Sequence, residues 1–314
     1  MSNKIDVEVR EVGLRDGLQN ISTFMPTELK TAWITAEAAA GVPNIEVCSF
    51  VPVKLIPQFA DAMDVVRHAR NIDGLAVSAL VPNLKGFERA VEAAVDEVDF
   101  VMSVSESHNK SNVRRSPEES VEDFKRITAM RNELPPDRRP KIVAGMATAL
   151  GCSFEGKISL DAVRRIANAL AEAGADELAI ADTVGYADPA LVKATFDAVR
   201  KDLPNMTLHA HFHDTRGLGL ANVVAALEAG VRHFDASLGG LGGCQFAPNA
   251  TGNINMEDLV FMLESMGLRT GVNVEKLVEV RDIIRKGLPE EPLTGAVAKA
   301  GVPKGYDPAS LHSA

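Results

Sequence analysis

The sequence predicts an α/β fold of the (β/α)8 TIM-barrel type with additional C-terminal helices. Short apolar, β-branched runs alternate eight times with longer segments of helical period. No break rich in Gly, Ser or Pro separates these units, which favours a single closed parallel barrel. The turn after the first strand, Gly13–Gly17 (GLRDG), lacks the phosphate-binding fingerprint that a doubly wound open sheet usually carries there. We therefore expect one domain over residues 1–314, with the barrel at about 5–255 and a helical extension at about 256–314.

The predicted strands are short and β-branched, as the buried strands of a parallel sheet are. In chain order they are Val7–Val12, Asn44–Phe50, Leu75–Val81, Val98–Val104, Ile142–Ala147, Glu177–Val184, Leu208–His213 and His233–Leu238. The segments between them have helical period. Three of these predicted helices, Thr27–Ala40, Leu160–Ala173 and Leu218–Ala229, are followed by a glycine, which commonly ends a helix. The chain stays mostly helical after the last strand, and we expect this extension to pack beside the barrel or in a subunit contact.

Composition narrows the classes of protein that the chain can be. The net charge of −10 argues against a nucleic-acid backbone or an anionic membrane as partner, although a local pocket could still bind a small anion. The N-terminus lacks the apolar run of a secretion signal, and no run of about 18 apolar residues is present. Cys48, Cys152 and Cys244 are an odd number of widely spaced cysteines, which indicates a reducing compartment. These features predict a cytoplasmic protein.

Polar residues accumulate where the predicted strands end. In a barrel of this kind, the C-terminal ends of the strands and the loops after them build the active site. The polar residues at these ends are Arg15, Asp16, Glu46, Asp182, Thr183, His211, His213 and Asp214, and a glycine-rich segment after the eighth strand leads to Cys244 and then Asn253. Burying so many polar groups without partners would cost several kcal/mol each. We therefore expect them to form a functional site.

His211 and His213 are the strongest indication of a metal site. Residues i and i+2 of a strand point to the same side, so the two imidazoles can bind one cation. Asp16 is the best third ligand, because only one strand separates the first strand from the seventh in a closed barrel. Asn253 could add an amide oxygen. This mixed nitrogen and oxygen set suits Mg²⁺ or Mn²⁺, and also Co²⁺ or Zn²⁺.

The alternative interpretation of this pair is two hydrogen-bonded core histidines. His209 lies on the same face, and we interpret it as a structural residue one layer deeper in the barrel.

Arg15 and Cys244 are the other candidates for chemistry. Arg15 and Asp16 could be a helix cap and a surface pair, but the next helix is predicted to begin near Thr27. Glu46 interrupts an apolar strand and could form a buried ion pair that holds Arg15 towards a substrate oxygen. Cys244 ends a run of four glycines in six residues, which is typical of a mobile loop that brings a thiol over the barrel mouth. The alternative is a tight turn with an ordinary small cysteine.

Taken together, these segments resemble the 3-hydroxy-3-methylglutaryl-CoA lyases, within the wider group of metal-dependent barrel lyases and Claisen-type synthases. The match extends over most of the chain, and its most specific parts are the RDGLQN and GGLGGC motifs. The matching segments are Glu11–Asn20, Pro82–Glu88, Ala149–Cys152, Glu155–Ser159, Asp182–Gly185, His211–Thr215, Gly239–Cys244 and Gly252–Asn253.

The resemblance implies a retro-Claisen cleavage of 3-hydroxy-3-methylglutaryl-CoA to acetyl-CoA and acetoacetate. A divalent cation would be held by Asp16, His211, His213 and Asn253. The acyl substrate would be bound and polarised by Arg15, with Gln19, Glu46, Asp182 and Thr183 as further substrate-binding candidates. Cys244 would be the active-site thiol, and the base that removes the hydroxyl proton would come from His211, His213 or Asp16. The resemblance also implies an acyl-CoA substrate, a homodimer and a role such as leucine degradation.

Three segments depart from the family pattern. They are Gln245–Thr251, Ser49–Lys54 and Ser107–Lys110, all of which are expected to be loops. The chemistry is therefore expected to be intact, while the acyl specificity stays open. The alternatives are the same cleavage of a related 3-hydroxyacyl-CoA such as citramalyl-CoA, which gives acetyl-CoA and pyruvate, a condensing synthase, and a catalytically silent barrel that acts as a binding protein.

Overall fold

Eight parallel strands, each paired with the next in chain order, close into a barrel, which confirms the predicted fold. The structure is a computed structural model and describes residues 4–242 and 252–312. The strands are β1 Glu8–Glu11, β2 Asn44–Ser49, β3 Ala76–Val81, β4 Glu97–Ser103, β5 Lys141–Ala147, β6 Glu177–Asp182, β7 Thr207–Phe212 and β8 His233–Ala236.

The predicted and observed strands coincide, with small differences at their ends. The largest differences are at the C-terminal ends of β6 and β8. The chain leaves β8 after Ala236 because Leu238–Gly240 forms a 3-10 turn, in which Gly239 has a φ of 67°. In that turn the backbone N–H of Leu238 donates to the buried Glu11 carboxylate at 2.9 Å, so it is not available to a strand ladder. This strand ends at a hydrogen bond to a side chain that is distant in the sequence. The alternation of apolar and polar residues, from which the strand was predicted, carries no information about such a bond.

Twelve α-helices lie within the described residues, and each strand is followed by at least one of them. They are α1 Thr27–Ala39, α2 Ala62–Ala69, α3 Leu84–Ala93, α4 Glu106–Val113, α5 Pro117–Glu133, α6 Leu160–Glu172, α7 Pro189–Asp202, α8 Gly219–Glu228, α9 Met256–Ser265, α10 Val274–Gly287, α11 Ala296–Ala300 and α12 Pro308–Leu311. In the described ranges, no helix combines the length and the apolar character that crossing a membrane requires.

The described part of the C-terminal extension packs beside the barrel. Helix α10 contacts α1 and α9, and α11 and α12 both contact α9. The backbone N–H of Asn273 donates to the Ala40 carbonyl at 2.8 Å, which joins the start of α10 to the end of α1. Gly41 follows α1 with a φ of +98°, and a Cβ there would lie 2.4 Å from the Gly271 carbonyl oxygen. This glycine is required both by its backbone conformation and by the close approach of the extension.

The interior of the barrel is unusually polar. Side chains from alternate strands fill such interiors in layers, most often with branched aliphatic residues. Here Arg10 of β1 binds Asp235 of β8 through two nitrogens, at 2.8 and 2.9 Å. Its guanidinium also donates to Glu97 at 2.9 Å and to Asp99 at 2.6 Å, both on β4. Buried charges are costly unless they are paired. This network pairs charges from opposite sides of the barrel, and so several ionisable groups can stay inside it.

Candidate active site

A tight π-helical turn after β1 carries Arg15 and Asp16 to the C-terminal mouth of the barrel. The backbone N–H groups of Arg15, Asp16 and Gly17 all converge on the Val12 carbonyl, at 3.1, 2.7 and 3.3 Å. Helix α1 begins only at Thr27, as expected, so these two side chains do not cap a helix. Both line the cavity at the mouth.

Arg15 is fixed between two carboxylates. Its Nε donates to Glu46 Oε2 at 2.6 Å, and its Nη1 donates to Asp16 Oδ1 at 2.6 Å. The ion pair that the sequence suggested between Arg15 and Glu46 is therefore present. Burial alone would lower the pKa of Arg15, but the charges of Glu46 and Asp16 raise it above its ordinary value. The guanidinium is thus a permanent cation that faces the cavity in a fixed orientation.

Asp16 is an ionised carboxylate in this setting. Burial alone would raise its pKa, but the charge of Arg15 and the proximity of His213 lower the pKa of Asp16 well below its usual range. Its Oδ2 lies 3.5 Å from His213 Nε2.

The two histidines of the HFH segment face each other and Asp16. His211 Nε2 lies 3.2 Å from His213 Nε2, and the ligand atoms of Asp16, His211 and His213 all lie within 4.8 Å of one another. On the other edge of the ring, His211 Nδ1 lies 3.0 Å from Asp235 Oδ2. A proton held on Nδ1 by Asp235 leaves the lone pair of Nε2 directed at the mouth, the form in which histidine binds a metal.

Asn253 joins this cluster through the backbone. Residues 252–254 pair with the end of β7, because Asp214 N donates to the Gly252 carbonyl at 3.0 Å and Ile254 N donates to the Phe212 carbonyl at 3.0 Å. The Asn253 side chain then donates from Nδ2 to Asp16 Oδ2 at 2.7 Å. Its Oδ1 is buried and has no hydrogen-bond partner among the described residues.

These four side chains fit a divalent cation. An unsatisfied buried amide oxygen costs free energy unless something binds it, and the amide that carries this oxygen is bonded through Nδ2 to Asp16, one of the three clustered residues. The donor set is mixed nitrogen and oxygen, without thiolates among the described residues, and is compatible with Mg²⁺, Mn²⁺, Co²⁺ or Zn²⁺. The alternative of two merely hydrogen-bonded core histidines does not explain the oxygen of Asn253.

A cavity of about 700 Å³ opens over this cluster. It is lined by six of the residues that the sequence singled out, namely Arg15, Asp16, Gln19, Thr183, His211 and His213. On the side of β4, it is also lined by polar residues that sequence reasoning did not select, namely His108, Asn112, Arg114 and Arg115. Ser107–Lys110, expected to be a loop, instead lies in α4. The available signal was that these residues closely follow the predicted fourth strand, Val98–Val104, whose C-terminal end belongs to the active-site face of a barrel.

Glu46 and Asp182 have supporting contacts. Glu46 is fully buried behind Arg15. The Asp182 carboxylate accepts hydrogen bonds from the backbone N–H groups of Tyr186 at 2.8 Å and Ala187 at 3.1 Å, and it thereby shapes the turn after β6. Burial raises the pKa of Asp182 in spite of these hydrogen bonds. Direct contact of these two carboxylates with substrate stays a prediction.

Cys244, the predicted thiol, lies outside the described residues.

Sequence reasoning did not single out Arg10 and Asp235, which stand behind His211. Both interrupt predicted strands, Val7–Val12 and His233–Leu238, in the same way that Glu46 interrupts its strand. A charged residue inside an apolar strand was therefore an available signal. Their mutual pairing could not be inferred, because it depends on the register between the first and the last strand.

Comparison with known proteins places the chain in a family. The HMGL-like family matches residues 6–284. Hydroxymethylglutaryl-CoA lyase YngG of Bacillus subtilis is 41% identical over 272 residues, covering 87% of this chain and 90% of that protein, and the mitochondrial hydroxymethylglutaryl-CoA lyase of Mus musculus is 41% identical over 282 residues, covering 90% and 86%. The structure of an HMG-CoA lyase from Acinetobacter baumannii in complex with coenzyme A and 3-methylmalate is 38% identical, has a TM-score of 0.89 and covers 96% of this chain and 97% of that one. These similarities confirm the resemblance found in the motifs, and the chain belongs to the HMGL-like family.

Proposed function

We propose that this protein is a divalent-metal-dependent carbon–carbon lyase that cleaves 3-hydroxy-3-methylglutaryl-CoA to acetyl-CoA and acetoacetate. The observation that carries the proposal is the convergence of Asp16, His211 and His213 on the cavity that Arg15 lines, with the Asn253 side chain bonded to Asp16. Support comes from relatives named hydroxymethylglutaryl-CoA lyase and from a solved relative that binds coenzyme A.

The cation would be held by Asp16, His211, His213 and Asn253. When bound, it would act as a Lewis acid that lowers the pKa of the substrate 3-hydroxyl. Mg²⁺ or Mn²⁺ is the ion we propose, with Co²⁺ or Zn²⁺ as substitutes that the same donor set accepts. Asp235 orients His211 for this task through the 3.0 Å contact with Nδ1.

Arg15 supplies positive charge where the reaction develops negative charge. Cleavage of the C2–C3 bond leaves a ketone and a thioester enolate. Because Glu46 and Asp16 already hold the guanidinium in place, Arg15 can stabilise the acyl oxygens without reorganising.

Two protons move in the reaction. The hydroxyl proton leaves before or as the C2–C3 bond breaks. We propose that one of His211, His213 and Asp16, which all line the cavity, accepts it. The enolate carbon takes up a proton to become the methyl group of acetyl-CoA, and we propose Cys244 as its donor. Gln19 and Thr183 line the same cavity and are proposed to position the acyl chain.

The runner-up substrate is a related 3-hydroxyacyl-CoA such as citramalyl-CoA, which would release pyruvate with acetyl-CoA. The departures at Gln245–Thr251 and Ser49–Lys54 favour it, because Val51 and Pro52 of the second segment line the cavity. A homodimer and a role in leucine degradation are further proposals that rest on the family resemblance. A cytoplasmic location is a further proposal that rests on the cysteine count and on the composition of the N-terminus.

The test is a metal-dependent product assay on the purified chain. The protein is incubated with 3-hydroxy-3-methylglutaryl-CoA and Mg²⁺ or Mn²⁺, and acetyl-CoA and acetoacetate are measured together, with an EDTA-treated sample in parallel. We expect equal amounts of both products with metal and none with EDTA. A Cys244→Ala variant should fold and bind metal yet lose most of the turnover; near-normal activity would remove Cys244 from the mechanism.

Two other outcomes are informative. If metal binds but only citramalyl-CoA is cleaved, the runner-up substrate is correct. If neither metal binding nor cleavage occurs, the chain is a silent barrel and the proposal is wrong.

A further inference from the structure

We propose a second divalent transition-metal site at the opposite, N-terminal end of the barrel interior, formed by Glu177, His209 and His233. It is independent of the lyase function and of the cation site at the C-terminal mouth. The ion expected there is Zn²⁺, Co²⁺ or Ni²⁺, because two imidazoles and one carboxylate are a common set for these metals.

The three side chains are already gathered by the strand register. Glu177 begins β6, His209 lies within β7 and His233 begins β8, and His209 is the register partner of His233. Their ligand atoms lie within 4.8 Å of one another. The rings of His209 and His233 have centroids 4.8 Å apart, and His209 Nε2 contacts Glu177 Oε2. Neighbouring strands of a closed barrel hold this geometry rigidly, so little ordering is needed when an ion binds.

The donors are not saturated by the protein. His209 uses Nε2 to contact Glu177, whereas His209 Nδ1 and His233 Nδ1 are both buried without a hydrogen-bond partner among the described residues, and His233 Nδ1 lies 4.0 Å from Glu8 Oε2. An unsatisfied buried imidazole nitrogen costs free energy unless a proton partner or a ligand reaches it. In His233 the side chain is 25% exposed, so an ion from solvent can reach the cluster.

Charge also favours a cation at this end. The carboxylates near the cluster are Glu8, Glu97 and Glu177. Lys141 is shared between Glu177 and Glu97, and Arg10 is shared among Glu97, Asp99 and Asp235. Glu8, Glu97 and Glu177 therefore share Lys141 and part of the charge of Arg10, and a divalent ion would offset the negative charge that remains at this end. Lys141 would keep the second Glu177 oxygen in place beside the ion.

The competing interpretation is a purely structural hydrogen bond between His209 and Glu177. It predicts no second ion. The two interpretations differ in a quantity that can be counted, namely the number of ions bound per chain.

The experiment is a metal titration of the full chain after its metal has been removed with EDTA and the EDTA dialysed away. Co²⁺ is added and followed by calorimetry and by its visible absorption. We expect the wild type to bind two ions. In His233→Asn and Glu177→Gln, the second ion should bind at least about tenfold more weakly, as loss of a ligand or its support does. His68→Asn, which removes a half-buried histidine bonded to Thr35 outside both clusters, is the matched control and should still bind two.

A wild-type stoichiometry of one, abolished by His213→Ala, would overturn the proposal without need of any variant at the N-terminal end. A second ion that binds His233→Asn and Glu177→Gln as tightly as the wild type would also overturn it. Circular dichroism of each metal-free variant shows whether it is folded. A Co²⁺-induced rise in Tm that survives in His213→Ala but disappears in His213→Ala/His233→Asn supports the proposed ligands, because only an ion bound to the native state raises Tm.

Discussion

The two ends of the barrel interior contain nearly the same donors in different surroundings. Each end brings two histidines and one carboxylate within 4.8 Å, Asp16 with His211 and His213 at one and Glu177 with His209 and His233 at the other. At the C-terminal mouth, the cluster lies on a cavity of about 700 Å³ beside Arg15. At the N-terminal end, Lys141 already contacts the carboxylate. A set of metal-binding side chains can therefore form at either end of the barrel. The cavity for a substrate and the positively charged Arg15 lie at the C-terminal mouth, where loops follow the strands.

Arg10 connects the two ends. It binds Asp235, which supports His211, and it also binds Glu97, which shares Lys141 with Glu177. The polar interior is thus one network, with the proposed catalytic site at one end and the proposed second metal site at the other.

The largest expected effect tests the division of labour between the ends. His213→Ala should lower kcat by at least about 10³-fold, because loss of a cation worth several kcal/mol to the transition state has that consequence. His233→Asn should lower kcat less than about tenfold, since His233 does not line the cavity. Steady-state kinetics with bound metal measured in parallel decide it. Equal losses in both variants would show that the two ends act as one catalytic unit.

A smaller effect tests whether Arg10 transmits support to the cation site through Asp235. Asp235→Asn should weaken Mn²⁺ binding by about 10–100-fold, because the carboxylate contacts His211 Nδ1 directly. Glu97→Gln is the matched control, since Glu97 also pairs with Arg10 but has no contact with His211 among the described residues. Mn²⁺ affinity is measured by electron paramagnetic resonance. Equal weakening in both variants would mean that Arg10, not Asp235, controls the affinity.

The smallest expected effect concerns the pH dependence of stability that comes from Glu37, a buried acid of α1. Glu37 lies outside the barrel interior, and no cation is proposed next to it. Burial raises the pKa of Glu37 to about 8, next to the equally buried Glu11. A folded-state pKa above the unfolded value means that the folded protein binds more protons, so its stability falls as pH rises from about 4.5 to about 8. Glu37→Gln removes this dependence. The free energy of unfolding of the variant minus that of the wild type should therefore increase with rising pH, by an amount on the order of a few kcal/mol.

Urea unfolding at several pH values measures this difference. Glu28→Gln, at an exposed acid of the same helix, should track the wild type. A constant gap between Glu37→Gln and the wild type would contradict the raised pKa and would make Glu37 differ little from an ordinary surface acid.

Much of the molecule followed from the sequence by itself. The eightfold alternation of apolar strands and periodic helices determined the barrel, because both periods report which faces are buried. The pair His211 and His213 followed from the i, i+2 geometry of a strand, and the Arg15–Glu46 ion pair from a charge placed in an apolar strand. These are local rules, so a single segment is sufficient to apply them.

Only the tertiary structure decided which distant residues meet. Asn253 reaches Asp16 because residues 252–254 pair with the end of β7, and Arg10 reaches Asp235 because β1 closes on β8 with one particular register. The register between β7 and β8 brings His209 to His233 and so creates the second cluster. The physical reason is that strand pairing and buried hydrogen bonds between residues far apart in the chain are chosen by the lowest free energy of the whole packed barrel, to which no single segment of sequence gives access.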